Sequence, residues 1–186
     1  MSEPVRQPLH EGLRMSVRSL LDGREFETFP VDVGIGDPVT AAPEPLRVTR
    51  LLEFAGVEPT LVPCYPLVQH VAEKLHAYSR PHGARENSRV KDYVDLVCLA
   101  ERYAFEAEAL DQAIQAAFNA RATHPLPPGL ADPPASWTPE YRRMAKEVDA
   151  DAGELAVASP LLRAFFEPMM NGSATGVWDP GRAEWC

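Results

Sequence analysis

Two kinds of hydrophobic patterning divide this chain. Residues 13–35, LRMSVRSLLDGREFETFPVDVGI, contain two extended-looking runs on either side of Asp22-Gly23. Asp-Gly tolerates the positive φ angles of a tight turn, so the segment predicts strand, turn, strand. The second run is rich in Phe, Thr and Val, which suit a pleated surface. Alternation sets Glu27, Phe29, Val31 and Val33 on one face and Phe26, Thr28, Pro30 and Asp32 on the other. Pro30 cannot donate to a ladder and predicts an edge strand or a bulge. Gly34 and Gly36 end the run, and Asp37-Pro38 opens a loop. The polar residues 1–12, with two prolines, predict a loose arm. The stretch 39–63 holds Pro43, Pro45, Pro59 and Pro63 and predicts short strands near 46–52 and 60–62, without a long helix.

From Pro66 the period becomes helical. Pro66 suits a first turn, and Leu67, Val71, Leu75 and Tyr78 recur on one stripe until Arg80-Pro81 ends the helix. A second helix, about 89–103 with Ser88 as its cap, is apolar on most sides, the pattern of a buried helix. A third, about 106–121, has acidic residues near its start and Arg121 at its end. After the proline-rich 122–139, helices are expected near 138–148, capped by Thr138, and 160–170. The final WDPGRAEW predicts a docked tail. The resulting class is α+β: a β-hairpin with short strands, followed by a helical part. The domain expectation is 1–63 for the sheet and 64–186 for the helices.

Composition narrows the field. Of 186 residues, 45% are hydrophobic and 24% charged, ordinary for a globular protein, while 19 prolines are about twice the usual share and mark joints. A net charge of −9 argues against a surface built to neutralise many phosphates. No apolar run is long enough for a transmembrane span and no signal-peptide core opens the chain. Cys64, Cys98 and Cys186 have neither disulfide-scaffold nor zinc spacing, so a reduced cytoplasmic setting is expected.

Three places carry candidate chemistry. Lys74 lies at the edge of the first helix's apolar stripe; it is either a snorkelling lysine or a functional cation. Its neighbour Glu73 points elsewhere on the helix. Asp92 and Asp95, three apart, share one side of the second helix. Carboxylates on an apolar helix are costly unless paired with cations or a metal. Arg85, Arg89 and Lys91 are close enough in sequence to serve, so the alternatives are a structural ion-pair cluster and a site. Asp32 interrupts an apolar strand as VDV; it is either a solvent-face residue or, joined by other carboxylates, a metal ligand or general base. The histidines show no metal spacing and are expected at the surface. There is no P-loop, dinucleotide-binding glycine pattern or nucleophile elbow.

The order FPVDVGIGDPV, YPLVQHVAEKLHAYSR, RVKDYVDLVCL resembles the AbiEii/AbiGii-type nucleotidyltransferase toxins over roughly residues 13–103. The resemblance implies a small sheet flanked by helices and joined to a helical C-terminal part. It also implies toxins of type IV toxin–antitoxin pairs, phage defence and transfer of a nucleotide from an NTP to an acceptor such as tRNA. By it, Lys74 matches the motif lysine facing the nucleotide phosphates, Asp92 and Asp95 match the Lys-Asp motif, and Lys91 and Arg89 join the nucleotide site. Lys74, Asp92 and Asp32 then form the catalytic set, with Asp32 as metal residue. Mg2+ is the implied cofactor, since nucleotidyl transfer uses a divalent ion to bridge phosphate oxygens and cations to stabilise the phosphoryl charge. An antitoxin is the implied partner.

The family's Gly-Ser turn leading to an Asp-x-Asp pair is not found in the matching place; Asp149-Ala150-Asp151 lies far downstream. The expectation is therefore a nucleotidyltransferase-like member lacking its N-terminal catalytic segment, with the activity of this form left open. The alternative is a non-enzymatic remnant that binds a protein or itself as a homodimer, because missing strands expose edges and apolar surface. A nucleic-acid binding module is disfavoured by the charge.

Overall fold

Asp22 and Gly23 form a tight turn with φ angles of 50° and 73°. Two successive positive φ values give a turn whose twist matches that of paired strands. In this computed structural model, which describes residues 3–7, 10–34, 41–48 and 53–186, the turn joins β2 (His10–Leu21) to β3 (Arg24–Gly34). A further strand, β1 (Glu3–Gln7), pairs with the start of β2 and makes a three-stranded antiparallel sheet of order β1-β2-β3. The loose arm expected over 1–12 is thus corrected. Polarity and prolines there do not prevent pairing, because β1 is an edge strand and an edge tolerates Pro4. Pro30 also lies on an edge strand, β3. The expected loop at Gly36 and Asp37-Pro38 lies outside the described residues.

Register sorts the β2–β3 pair into two chemical faces. Leu13, Met15 and Val17 stand opposite Val33, Val31 and Phe29. Arg14, Ser16 and Arg18 stand opposite Asp32, Pro30 and Thr28. Over these six pairs one face is apolar and the other mainly polar, as directly opposed residues share a face, and the apolar face ends at the polar pair Ser19 and Glu27. A bulge between Ser19 and Leu20 sets this register.

A second ribbon pairs β4 (Glu44–Arg47) with β5 (Leu61–Cys64), with a short 3-10 turn at Glu53–Ala55 between them. These are the expected short strands with shifted ends; residues 49–52 of the first lie outside the described residues.

Five helices follow: α1 (Leu67–Ser79), α2 (Val90–Arg102), α3 (Ala107–Arg121), α4 (Thr138–Glu147) and α5 (Leu155–Met170). The apolar α2 is the hub, packing against α1, α4 and α5, while α1 also packs against α3. Its Tyr93, Leu96, Val97 and Ala100 are fully buried. Removing side chains of this size from water stabilises by about 1.5–3 kcal/mol for each large one.

Several helix ends differ from expectation. The cap of α2 is Arg89 rather than Ser88, because Asn87 Oδ1 accepts the Arg89 N–H at 2.9 Å and sets the entry one residue later. Thr138 does not cap α4; a 3-10 turn at Ala135–Trp137 precedes it, and the Thr138 hydroxyl donates to the Ala135 carbonyl. α5 begins five residues before the expected 160 and carries Pro160 and Pro168 inside it. Each proline removes one helical hydrogen bond, but Ala158, Leu162, Phe165, Phe166 and Met169 bury one face along the whole length.

The tail is docked, as expected. β6 (Trp178–Asp179) pairs with β7 (Glu184–Trp185). Trp178 is fully buried and donates its Nε1–H to the Ala100 carbonyl at 2.7 Å, and Trp185 stacks on Phe165. The architecture is α+β with a helical C-terminal part. Backbone contacts divide it into two compact units, Met1–Val39 and Thr40–Cys186.

Candidate functional site

The facing of α1 onto α2 brings the charged residues of those helices together. Val71, Leu75 and Tyr78 bury the α1 stripe, and Lys74 rides on its edge. The Lys74 ammonium turns toward α2 rather than outward. It donates to Asp95 Oδ2 at 2.5 Å and to Asp92 Oδ1 at 3.1 Å. Arg89 Nη1 lies 3.5 Å from the other oxygen of Asp92. Lys74 exposes 13% of its side chain and Asp92 20%, so these bonds form with much of the water excluded. Desolvation opposes the charged ammonium, yet its hydrogen bonds to Asp95 and Asp92, with the charges of those carboxylates, outweigh it and hold the lysine pKa above its ordinary value. Asp92 stands in the first turn of α2, where the helix dipole favours an anion.

Glu73 points the other way. It accepts from the Tyr65 hydroxyl at 2.5 Å and meets Arg121 at 3.6 Å, which ties the end of the β4–β5 ribbon and the end of α3 to α1. Adjacent helical residues thus serve two different networks, as their angular separation requires.

The structure brings together Lys74, Asp92, Asp95 and Arg89. Lys91 is exposed, one position round the helix from Asp92. Asp32 belongs to the other compact unit. Its carboxylate is gripped by Arg14, whose Nε and Nη2 donate at 2.6 and 2.8 Å, and this keeps the exposed Asp32 below its ordinary pKa.

Two histidines correct the expectation of a surface position or add to the site. His76 is buried, edge-on to Phe118, and bonded through Nε2 to the Thr123 hydroxyl at 3.0 Å. Burial first, then the charges of its neighbours, push its pKa down to about 4. The six-residue spacing from His70 put it on a different face, and that face is the one that meets α3. His70 is exposed but close enough to the ion cluster for the Lys74 charge to depress its pKa, after desolvation. Its position one turn before Lys74 was the available signal.

These side chains do not fit a divalent ion as they stand. Asp32 is held bidentately by an arginine, and Asp92 and Asp95 are bonded to an ammonium. Among the described residues no three His, Cys, Asp or Glu side chains gather into a metal-holding group.

In the helical unit a largely desolvated lysine between two aspartates closes α1 onto α2. The sequence model described as nucleotidyl transferase AbiEii toxin, type IV TA system, matches residues 2–167. The chain belongs to this family of nucleotidyltransferase-like toxins. No curated protein matches the chain. Among the described residues no helix is long and apolar enough to cross a membrane.

Proposed function

We propose that this chain takes part in nucleotidyl transfer from a nucleoside triphosphate to an acceptor of the tRNA class, with Lys74 directed at the nucleotide phosphates. One observation carries the reading: in a chain of this family, the Lys74 ammonium is largely withdrawn from water and fixed by two hydrogen bonds to Asp92 and Asp95. A cation immobilised this way costs little reorganisation when phosphoryl charge develops beside it. Arg89 adds a second positive group next to Asp92.

The test is label transfer from each α-32P nucleoside triphosphate to tRNA, with Mg2+ supplied. Wild type is expected to label tRNA, and Lys74→Ala to lose roughly 100-fold or more, the scale of one lost electrostatic donor. Equal labelling by the two proteins would overturn the role given to Lys74, and an absence of labelling by wild type would overturn the transferase reading.

A second reading, protein binding or self-association, is favoured by the apolar sheet face, where Met15, Phe29 and Val33 are exposed by 37%, 42% and 38%. Exposed apolar residues gathered on one face mark interaction surfaces.

A further inference from the structure

The carboxylates beside Lys74 are the natural place to look for a metal, and their geometry points to a different use. Lys74 and Arg89 supply two positive charges and Asp92 and Asp95 two negative ones, so the group is balanced without any added ion. Each aspartate already has a cationic partner from the chain. The contact from Lys74 to Asp95 is the shorter of the two and is a charge-assisted hydrogen bond. A divalent ion seated between Asp92 and Asp95 would have to expel the ammonium and then lie beside it in a place from which water is largely excluded, where like charges repel more strongly than in bulk.

We infer that Asp92 and Asp95 are positioning residues rather than metal ligands: they aim the Lys74 ammonium and leave one N–H for the phosphate contact of the proposed nucleotide site. An ammonium has three N–H donors, and the two aspartates take two of them. Asp95 makes the shorter bond and Asp92 is shared with Arg89, so Asp95 is the principal aligning group. This assignment rests on the proposed nucleotide site for its ligand, but its statement about metal stands apart from it.

The experiment uses the full chain as wild type, Lys74→Ala, Asp92→Asn, Asp95→Asn and Asp95→Glu, each checked for native circular dichroism. Mn2+ binding is read from the free-ion electron paramagnetic resonance signal, and ATP affinity is measured by calorimetry in EDTA. Asp92→Asn and Asp95→Asn are expected to leave the number and affinity of bound Mn2+ ions as in wild type. ATP is expected to bind about tenfold more weakly to both Lys74→Ala and Asp95→Asn, the scale of one lost charge-assisted bond, with partial recovery in Asp95→Glu. Loss of a bound Mn2+ in either Asn variant would overturn the assignment. So would full ATP affinity in Asp95→Asn alongside its loss in Lys74→Ala. If wild type binds no ATP, the nucleotide reading and the role given to Lys74 fail together, while the Mn2+ titration still decides whether the aspartates are metal ligands.

Discussion

The two compact units solve the problem of apolar surface in opposite ways. In Thr40–Cys186, five helices and a docked tail enclose a core in which Tyr93, Leu96, Phe165 and Trp178 lose all contact with solvent. In Met1–Val39, one antiparallel layer has a polar face, led by the Arg14–Asp32 pair, and an apolar face lined by Leu13, Met15, Val17, Phe29, Val31 and Val33. A single layer has no second layer of its own to bury such a face. Stability generated within the helical unit should therefore depend on packing, and that of the sheet on its ladder and turn. The charged groups follow the same division. Lys74 makes its ion pairs with 13% of its side chain exposed, whereas Arg14 makes its pair with 54% exposed, where screening leaves little net gain.

The strongest way to sharpen this comparison is to cut into the helical core at its last strap. Trp178 is fully buried, packs edge-on to Phe165 and bonds to the end of α2 at Ala100. Trp178→Ala should cost about 3–5 kcal/mol, measured by urea denaturation. A loss below about 1 kcal/mol would show that the tail is not part of the packed core.

The next effect is pH dependence from His76. Its pKa in the folded chain is about 4 against an ordinary 6.5, so folding favours the neutral ring. An unfolded chain binds the extra proton between those values, and stability falls as pH drops through that window. The contribution is complete above about 6.5 and gone by about 4. At 1.36 kcal/mol per pKa unit, it amounts to about 3 kcal/mol. Unfolding free energies at a series of pH values should show this slope in wild type, and a flatter one in His76→Gln. Identical slopes would remove His76 as the cause.

Much of this was legible in the sequence, and the exceptions have physical reasons. Period-3.6 patterning located the three central helices, and the all-round apolar α2 was readable as the buried one. Lys74 at the edge of a stripe and Asp92 with Asp95 on one side of a helix were equally visible. What they do together depends on how α1 lies on α2, which no local pattern encodes. The Arg14–Asp32 pair was hidden for a similar reason. A two-residue turn without irregularity would set Arg14 opposite Val31; the bulge at Ser19/Leu20 moves the register by one and brings Asp32 there. The early start of α5 was masked by Pro160, which reads as a first-turn residue but sits inside the helix because the buried face outweighs one missing bond.

The smallest expected effect tests the other half of the comparison. Phe29 lies on the apolar sheet face with 42% of its surface exposed. Phe29→Ser should change unfolding free energy by less than about 1 kcal/mol, as for other half-exposed positions. A loss of several kcal/mol would mean that the face is packed in the folded chain, and the contrast between the two units would disappear. The same variant separates the two functional readings. If the face binds a second copy, wild type sediments as a dimer at high concentration and Phe29→Ser shifts it to monomer, because one apolar anchor of that size dominates a small contact. If both sediment as monomers, self-association is excluded as the use of this face. Label transfer by wild type and by Phe29→Ser should in either case remain equal, since the variant leaves the Lys74 cluster of the helical unit intact.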